Sequence, residues 1–127
     1  MNEPKKILIV EDENFLSSLI KARLEKEGFV VSQSFDGEAA LESLKKEKPS
    51  FVILDLILPK LSGFEVMEHI SLDPELSKIP VIILSNLAQD TDIEKIKSLG
   101  AREYFVKVRI STDDIISRIK LILEGEK

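Results

Sequence analysis

The sequence predicts an α/β fold in which one parallel sheet carries helices on both faces. Three observations predict it. Short apolar, β-rich runs alternate five times with longer amphipathic segments. The best of these runs are almost unbroken in hydrophobicity, as expected of strands covered on both faces. Each amphipathic segment repeats its apolar residues at three- and four-residue steps, the period of a helix packed along one stripe. Five strand–helix units with no break in composition imply one domain, and right-handed crossovers put helices on both sides of the sheet.

Taken in order, Lys6–Val10 (KILIV) reads as the first strand. Phe15, Leu16, Leu19, Ile20 and Leu24 form the stripe of a helix that Gly28 ends. Phe29–Ser34 is a second strand, more polar and so nearer an edge; Asp36-Gly37 makes a turn, and Ala39, Ala40, Leu41 and Leu44 line the next helix. Phe51–Leu54 (FVIL) is the third strand, and after Gly63 a helix carries Phe64, Val66, Met67 and Ile70. Pro80 leads into the strand Val81–Leu84, followed by a helix with Ile93, Ile96 and Leu99 that stops at Gly100. Glu103–Val106 is the fifth strand. Ser111, Thr112, Asp113 and Asp114 cap a last helix carrying Ile115, Ile116, Ile119, Leu121, Ile122 and Leu123.

Composition bounds the function. The 127 residues are 43% hydrophobic and 32% charged with a formal net charge of -5, enough apolar content for one core and too much for a disordered chain. Every apolar run is far short of the ~20 residues that cross a bilayer, and no secretory leader opens the sequence. There is no cysteine and a single histidine, His69, so thiolate chemistry and an imidazole cluster are excluded and a reducing cytoplasm is the expected location. The acidic balance argues against a general nucleic-acid surface. Ordered structure is expected over about residues 5–124, with only short tails.

In an open parallel sheet, ligands bind beyond the carboxyl ends of the strands. Glu11, Asp12 and Glu13 follow the first strand, Asp55 the third, Ser85 and Asn86 the fourth, and Lys107 the fifth. Singly, each has an ordinary role: Asp12 as a helix cap, Asp55 or Ser85 in a turn, Lys107 as a solvated charge. Jointly they put carboxylates, a hydroxyl and an ammonium at one rim. Carboxylate oxygens without His or Cys suit a hard divalent cation, and Mg2+ is the usual one. Glu11, Asp12, Asp55 and Lys107 sum to -2, which a divalent cation brings to 0, admitting an anionic phosphoryl donor. A carboxylate is a competent nucleophile for phosphoryl transfer, with metal, lysine and hydroxyl to neutralise the transferring oxygens.

At these positions the sequence resembles a bacterial response-regulator receiver domain, of the stand-alone, chemotaxis-regulator-like kind, across essentially all 127 residues. The resemblance rests on Glu11-Asp12, on Asp55 and the following loop with Pro59 and Gly63, on Ser85, on Gly100-Ala101, and on Tyr104 and Lys107. It implies a flavodoxin-like (βα)5 three-layer sandwich with strand order 2-1-3-4-5. It also implies that Asp55 accepts a phosphoryl group from a sensor histidine kinase or histidine phosphotransfer protein. Mg2+ would be held by Asp12, Asp55 and the Ile57 backbone carbonyl, with Glu11 acting through water. Lys107 would pair with Asp55 and then with a phosphoryl oxygen. Ser85 would move inward to another, and Tyr104 would rotate from exposed to buried, altering the face of the fourth helix, fifth strand and fifth helix. Such a protein signals by binding a downstream protein target rather than by turnover, beyond self-phosphorylation and slow self-dephosphorylation. It needs no direct nucleic-acid or membrane contact, and works as a monomer or weak dimer. No output domain is legible in the sequence.

The sequence departs from the family pattern in three respects. Lys107 is usually followed by proline, often across a cis bond; here Val108 follows. A cis bond costs about 2.5–4 kcal/mol without proline against about 0.5–1 with it, so a trans peptide is expected. The residue after Ser85 is usually small, and the bulk of Asn86 is expected to narrow access to Asp55. The positions that often orient hydrolytic water hold Ile57 and Leu87, so a long-lived phosphoryl group is expected. Two other readings stay open: a receiver-like interaction module that is not phosphorylated, and a carboxylate-nucleophile phosphohydrolase, which Ile57 disfavours because it supplies no second acid. His69 reads as a surface residue, and the absence of a glycine-rich phosphate loop weakens a nucleotide or flavin reading.

Overall fold

The computed structural model describes residues 4–125. Its strands are β1 (Lys6–Val10), β2 (Val30–Ser34), β3 (Phe51–Leu54), β4 (Val81–Ser85) and β5 (Glu103–Val106). They form one parallel sheet in the order β2-β1-β3-β4-β5. Five helices alternate with them: α1 (Asn14–Lys26), α2 (Gly37–Glu47), α3 (Gly63–Leu72), α4 (Asp90–Ser98) and α5 (Thr112–Gly125). Among the described residues, no helix is long and apolar enough to cross a membrane.

The two faces of the sheet follow from the two-residue period of a strand. Leu8, Val10, Val52, Leu54, Val81 and Ile83 point to one side, where Ala40 and Leu44 of α2, Val66, Met67 and Ile70 of α3 and Ile96 of α4 cover them. Ile7, Ile9, Val31, Phe51, Ile53, Ile82 and Leu84 point to the other, under Ile20 and Leu24 of α1 and Ile115, Ile116 and Ile119 of α5. The central strands β1, β3 and β4 are buried on both faces apart from Lys6. The edge strand β2 carries half-buried Ser32 and Gln33, and β5 is half-buried throughout. This is why the β2 run reads as more polar.

Local differences from the sequence expectation have local causes. Phe29 lies before β2, and β4 runs one residue further, through Ser85. Asp36 does not sit in a free turn: its carboxylate accepts the Ala39 N–H at 2.8 Å and caps α2. Ser62 and Glu65 form a reciprocal cap at the start of α3. Short 3-10 turns at Leu76–Lys78 and Lys107–Arg109 carry no periodicity long enough to read from sequence. No cis peptide bond occurs among the described residues, so Lys107–Val108 is trans, as expected.

Gly63 begins α3 where that helix is pressed against the end of β3. Its N–H donates to the Leu56 carbonyl at 2.9 Å, and a Cβ there would lie 2.2 Å from the Asp55 carbonyl oxygen and 2.6 Å from Leu56 Cα. Both neighbours are backbone, so relief requires moving the segment that carries Asp55. Gly63→Ala is therefore expected to lower unfolding stability by about 1–3 kcal/mol. Gly125→Ala, at a position with nothing within 4 Å, should stay within about 0.5 kcal/mol of the parent. Chemical denaturation of the two variants checks the contrast.

Candidate functional site

The strand order reverses direction between β1 and β3, whose following helices α1 and α3 cover opposite faces of the sheet. Two acids stand at that point, held as though the strands continued. The Glu11 N–H donates to the Ser34 carbonyl and the Asp55 N–H to the Val10 carbonyl, both at 3.0 Å. The carboxyl groups of Glu11 and Asp55 are therefore fixed by sheet geometry rather than by flexible loops. Glu11 is 2% exposed and Asp55 3%, whereas Asp12 is exposed.

Lys107 reaches these acids from the end of β5. Its Nζ lies 2.8 Å from Glu11 Oε1 and 2.9 Å from Asp55 Oδ2. Glu13 Oε2 stands 3.3 Å away and completes the ammonium's surroundings. Burial works against the charge on Lys107, but the hydrogen bonds it donates to Glu11 and Asp55 outweigh it and hold the ammonium well above its ordinary range. Burial pushes the Glu11 carboxyl up to about 7, against the opposing pull of Lys107 and the Glu13 N–H. Removing one partner of such a buried pair costs on the order of 3–5 kcal/mol, because the other charge is left uncompensated.

The sequence reading placed Glu13 only as an acid beside a helix start and considered Asp12 as its cap. In the structure Glu13 is the N-cap residue of α1, without a side-chain cap bond, and its carboxylate turns to Lys107 instead. Asp12 is thereby free for other work. An oxygen of each of Glu11, Asp12 and Asp55 lies within 4.8 Å of the other two. Opposed ligands of an octahedral Mg2+ at about 2.1 Å are about 4.2 Å apart, so this all-oxygen set fits a hard divalent cation with little movement. Each Glu11 oxygen accepts one hydrogen bond, Oε1 from Lys107 at 2.8 Å and Oε2 from the Glu13 N–H at 3.0 Å.

Asp12, Glu13, Asp55, Ile57, Asn86 and Lys107 line an open cleft of about 210 Å³. Asp55 Oδ1 accepts the Ile57 N–H at 3.2 Å, so each carboxylate oxygen of Asp55 is oriented by one donor. Ile57 is 55% exposed and gives the rim an apolar lip. Ser85 is fully buried behind the cleft. Its Oγ accepts the Leu87 N–H at 3.4 Å, which leaves the hydroxyl proton available to donate. Tyr104 is half-buried rather than exposed, and its hydroxyl donates to the Leu87 carbonyl at 2.5 Å. The two faces of one residue's backbone thus connect Ser85 with Tyr104. Burial foremost, with Asp92 and Asp55 nearby, raises the Tyr104 phenol and keeps it a donor. The Asn86 Oδ1 accepts the Val108 N–H at 3.2 Å. His69 is an exposed α3 residue, its Nδ1 2.9 Å from the Glu65 carbonyl, and takes no part in the cleft lining.

Known proteins are similar to this chain in sequence and in fold. The chain spans about half the length of the transcriptional regulators among its curated relatives. It is 34% identical over 120 residues to PilH of Pseudomonas aeruginosa, covering 94% of this chain and 98% of PilH. Its structure is similar to that of the phosphorylated cyanobacterial phytochrome response regulator RcpA, with 32% identity, a TM-score of 0.82 and coverage of 96% and 93% of the two chains. It is also similar to the Mn(2+)-bound response regulator Rcp1, with 31% identity, a TM-score of 0.83 and 93% of each chain covered. The profile described as response regulator receiver domain matches residues 7–120. A strand order of 2-1-3-4-5, an acidic cluster at its reversal point and a profile match across nearly the whole chain lead to one conclusion: this chain belongs to the response regulator receiver domain family.

Proposed function

We propose that this chain is a phosphoacceptor switch of a cytoplasmic two-component phosphorelay. The observation that carries the reading is the Lys107 ammonium 2.9 Å from a buried Asp55 that still lines an open cleft. An Asp55 carboxylate oxygen attacks the phosphorus of a phosphohistidine on a sensor kinase or phosphotransfer protein. The P–O bond forms as the P–N bond breaks, and the departing imidazole keeps the electron pair and takes up a proton. Lys107 follows the negative charge from the Asp55 carboxylate to a phosphoryl oxygen, and Ser85 donates its free hydroxyl proton to another. Mg2+, held by Asp12, Asp55 and the Ile57 carbonyl with Glu11 acting through water, would supply charge neutralisation when bound.

The relay to the surface follows the Leu87 peptide groups. A shift of Ser85 toward the phosphoryl group moves the Leu87 N–H it accepts, and with it the carbonyl that Tyr104 holds. The face of α4, β5 and α5 then changes for a downstream protein target. Phosphorylation acts as a population shift, and must favour the active arrangement by a few kcal/mol. Turnover is not the purpose, because Ile57 and Leu87 give water no polar group to align it for attack on the acyl phosphate. The similarity to phosphorylated RcpA and to PilH supports this reading.

Three outcomes are expected. Incubation with Mg2+ and acetyl phosphate, followed by intact-mass measurement, should show one phosphoryl adduct that Asp55→Asn lacks; an unmodified parent would favour a phosphorylation-independent interaction module instead. Combining Ile57→Asn with Leu87→Glu should shorten the phosphoryl lifetime several-fold, as followed by release of inorganic phosphate. The third concerns pH. Since Glu11 is raised from an ordinary 4.5 to about 7, the folded state holds this proton more tightly than the unfolded chain. Its contribution to stability is full below about 4.5 and is lost as the pH rises through about 7. In chelator, the melting temperature of the parent should therefore fall relative to Glu11→Gln between pH 5.5 and pH 8.

A further inference from the structure

Two departures from the family pattern, Asn86 and Val108, are 22 residues apart in sequence and touch in the structure. Asn86 Oδ1 accepts the Val108 backbone N–H at 3.2 Å. A backbone N–H only donates, so chemistry alone orients the carboxamide: oxygen toward Val108, nitrogen on the other limb of the planar group. No hydrogen bond among the described residues uses the two Nδ2 donors. Asn86 lines the same cleft as Asp55 and Lys107. A proline at position 108 has no N–H and would leave Asn86 without this anchor. The two residues therefore work as one device, in which a rim peptide donor is exchanged for a pair of side-chain donors beside the acceptor aspartate.

We propose that Asn86 is a phosphoryl-binding residue: anchored through Oδ1 to Val108, it donates an Nδ2 proton to an oxygen of the group carried by Asp55. The inference rests on the phosphoacceptor reading and reverses the simple steric expectation that the bulk of Asn86 hinders access. The pocket then holds three kinds of donor, namely the Lys107 ammonium, the Ser85 hydroxyl and the Asn86 amide. The amide is neutral, so it adds a directed hydrogen bond without altering the charge balance of the acidic cluster.

The test is calorimetric binding of beryllium fluoride, a phosphoryl mimic, with saturating Mg2+, alongside the initial rate of phosphorylation by acetyl phosphate. Asn86→Ala should weaken beryllium fluoride binding about tenfold or more, as loss of a hydrogen bond to a charged group implies, and slow phosphorylation. Asn86→Asp keeps an acceptor for Val108 but replaces the donor with a charge, and should bind the mimic at least as weakly. Mg2+ affinity of Asn86→Ala should match the parent, and its melting temperature should fall by no more than the few degrees that loss of the Val108 hydrogen bond implies. In a Val108→Pro background, removing Asn86 should cost clearly less than in the parent. Unchanged or tighter binding by Asn86→Ala overturns the inference in favour of steric obstruction, while the parent's own binding keeps the phosphoacceptor reading intact. An equal cost in both backgrounds overturns the anchoring by Val108. A parent that neither binds the mimic nor becomes phosphorylated removes the phosphoacceptor reading and this inference together.

Discussion

Two carboxyl groups buried side by side at the centre of a sheet are tolerable only if something compensates them, and in this protein that something is one ammonium group. Glu11 and Asp55 directly follow the neighbouring strands β1 and β3, and each is withdrawn from water almost completely. A buried anion without a partner is among the most costly features a core can contain. Lys107 meets both at hydrogen-bonding distance, although it arrives from β5, with β4 lying between its strand and β3. The contact therefore depends on strand order as well as on residue type: a sheet ordered differently would bury the same acids with nothing opposite them. The three groups remain poised, since the cluster keeps a negative balance that a hard cation can complete.

The surrounding architecture holds this arrangement by backbone contacts on one side and by single side-chain hydrogen bonds on the other. Backbone bonds that extend the β1 and β3 ladders by one residue fix Glu11 and Asp55. The close approach of Gly63 to the Asp55 carbonyl locks α3 onto the same point. The β4–α4 connection is held differently, by single hydrogen bonds: Leu87 N–H to Ser85, Tyr104 hydroxyl to Leu87, and Val108 N–H to Asn86. Each is worth about 1 kcal/mol, comparable with the bias that the proposed phosphoryl switching would require. A firmly held acid floor beneath a set of single loop hydrogen bonds is compatible with the proposed switching.

Much of this could be read in the sequence. The apolar runs marked all five strands because β1, β3 and β4 are covered on both faces, and the register with which polar residues follow them located the rim. Acidic type and the lack of His or Cys pointed to oxygen ligation. What could not be read was local and geometric. Asp36 in an Asp-Gly pair resembles a turn, and only the path of α2 turns its carboxylate to the Ala39 N–H. Glu13 was indistinguishable from any acid near a helix start until Lys107 appeared opposite it. Asn86 read as an obstruction because its partner, the Val108 N–H, belongs to a loop 22 residues away.

The sequence by itself determined the alternation of strands and helices, the end of the sheet at which the chemistry gathers, and the residue types available for it. These depend on periodicity and on order along the chain, which are local properties. Only the tertiary structure decided which donor meets which acceptor: Lys107 with Glu11, Asp55 and Glu13 together, Tyr104 turned inward to Leu87, and Asn86 tied to Val108. A hydrogen bond is decided within a few tenths of an ångström between groups tens of residues apart. That precision comes from the packed sheet and its covering helices, which no single segment of the chain contains.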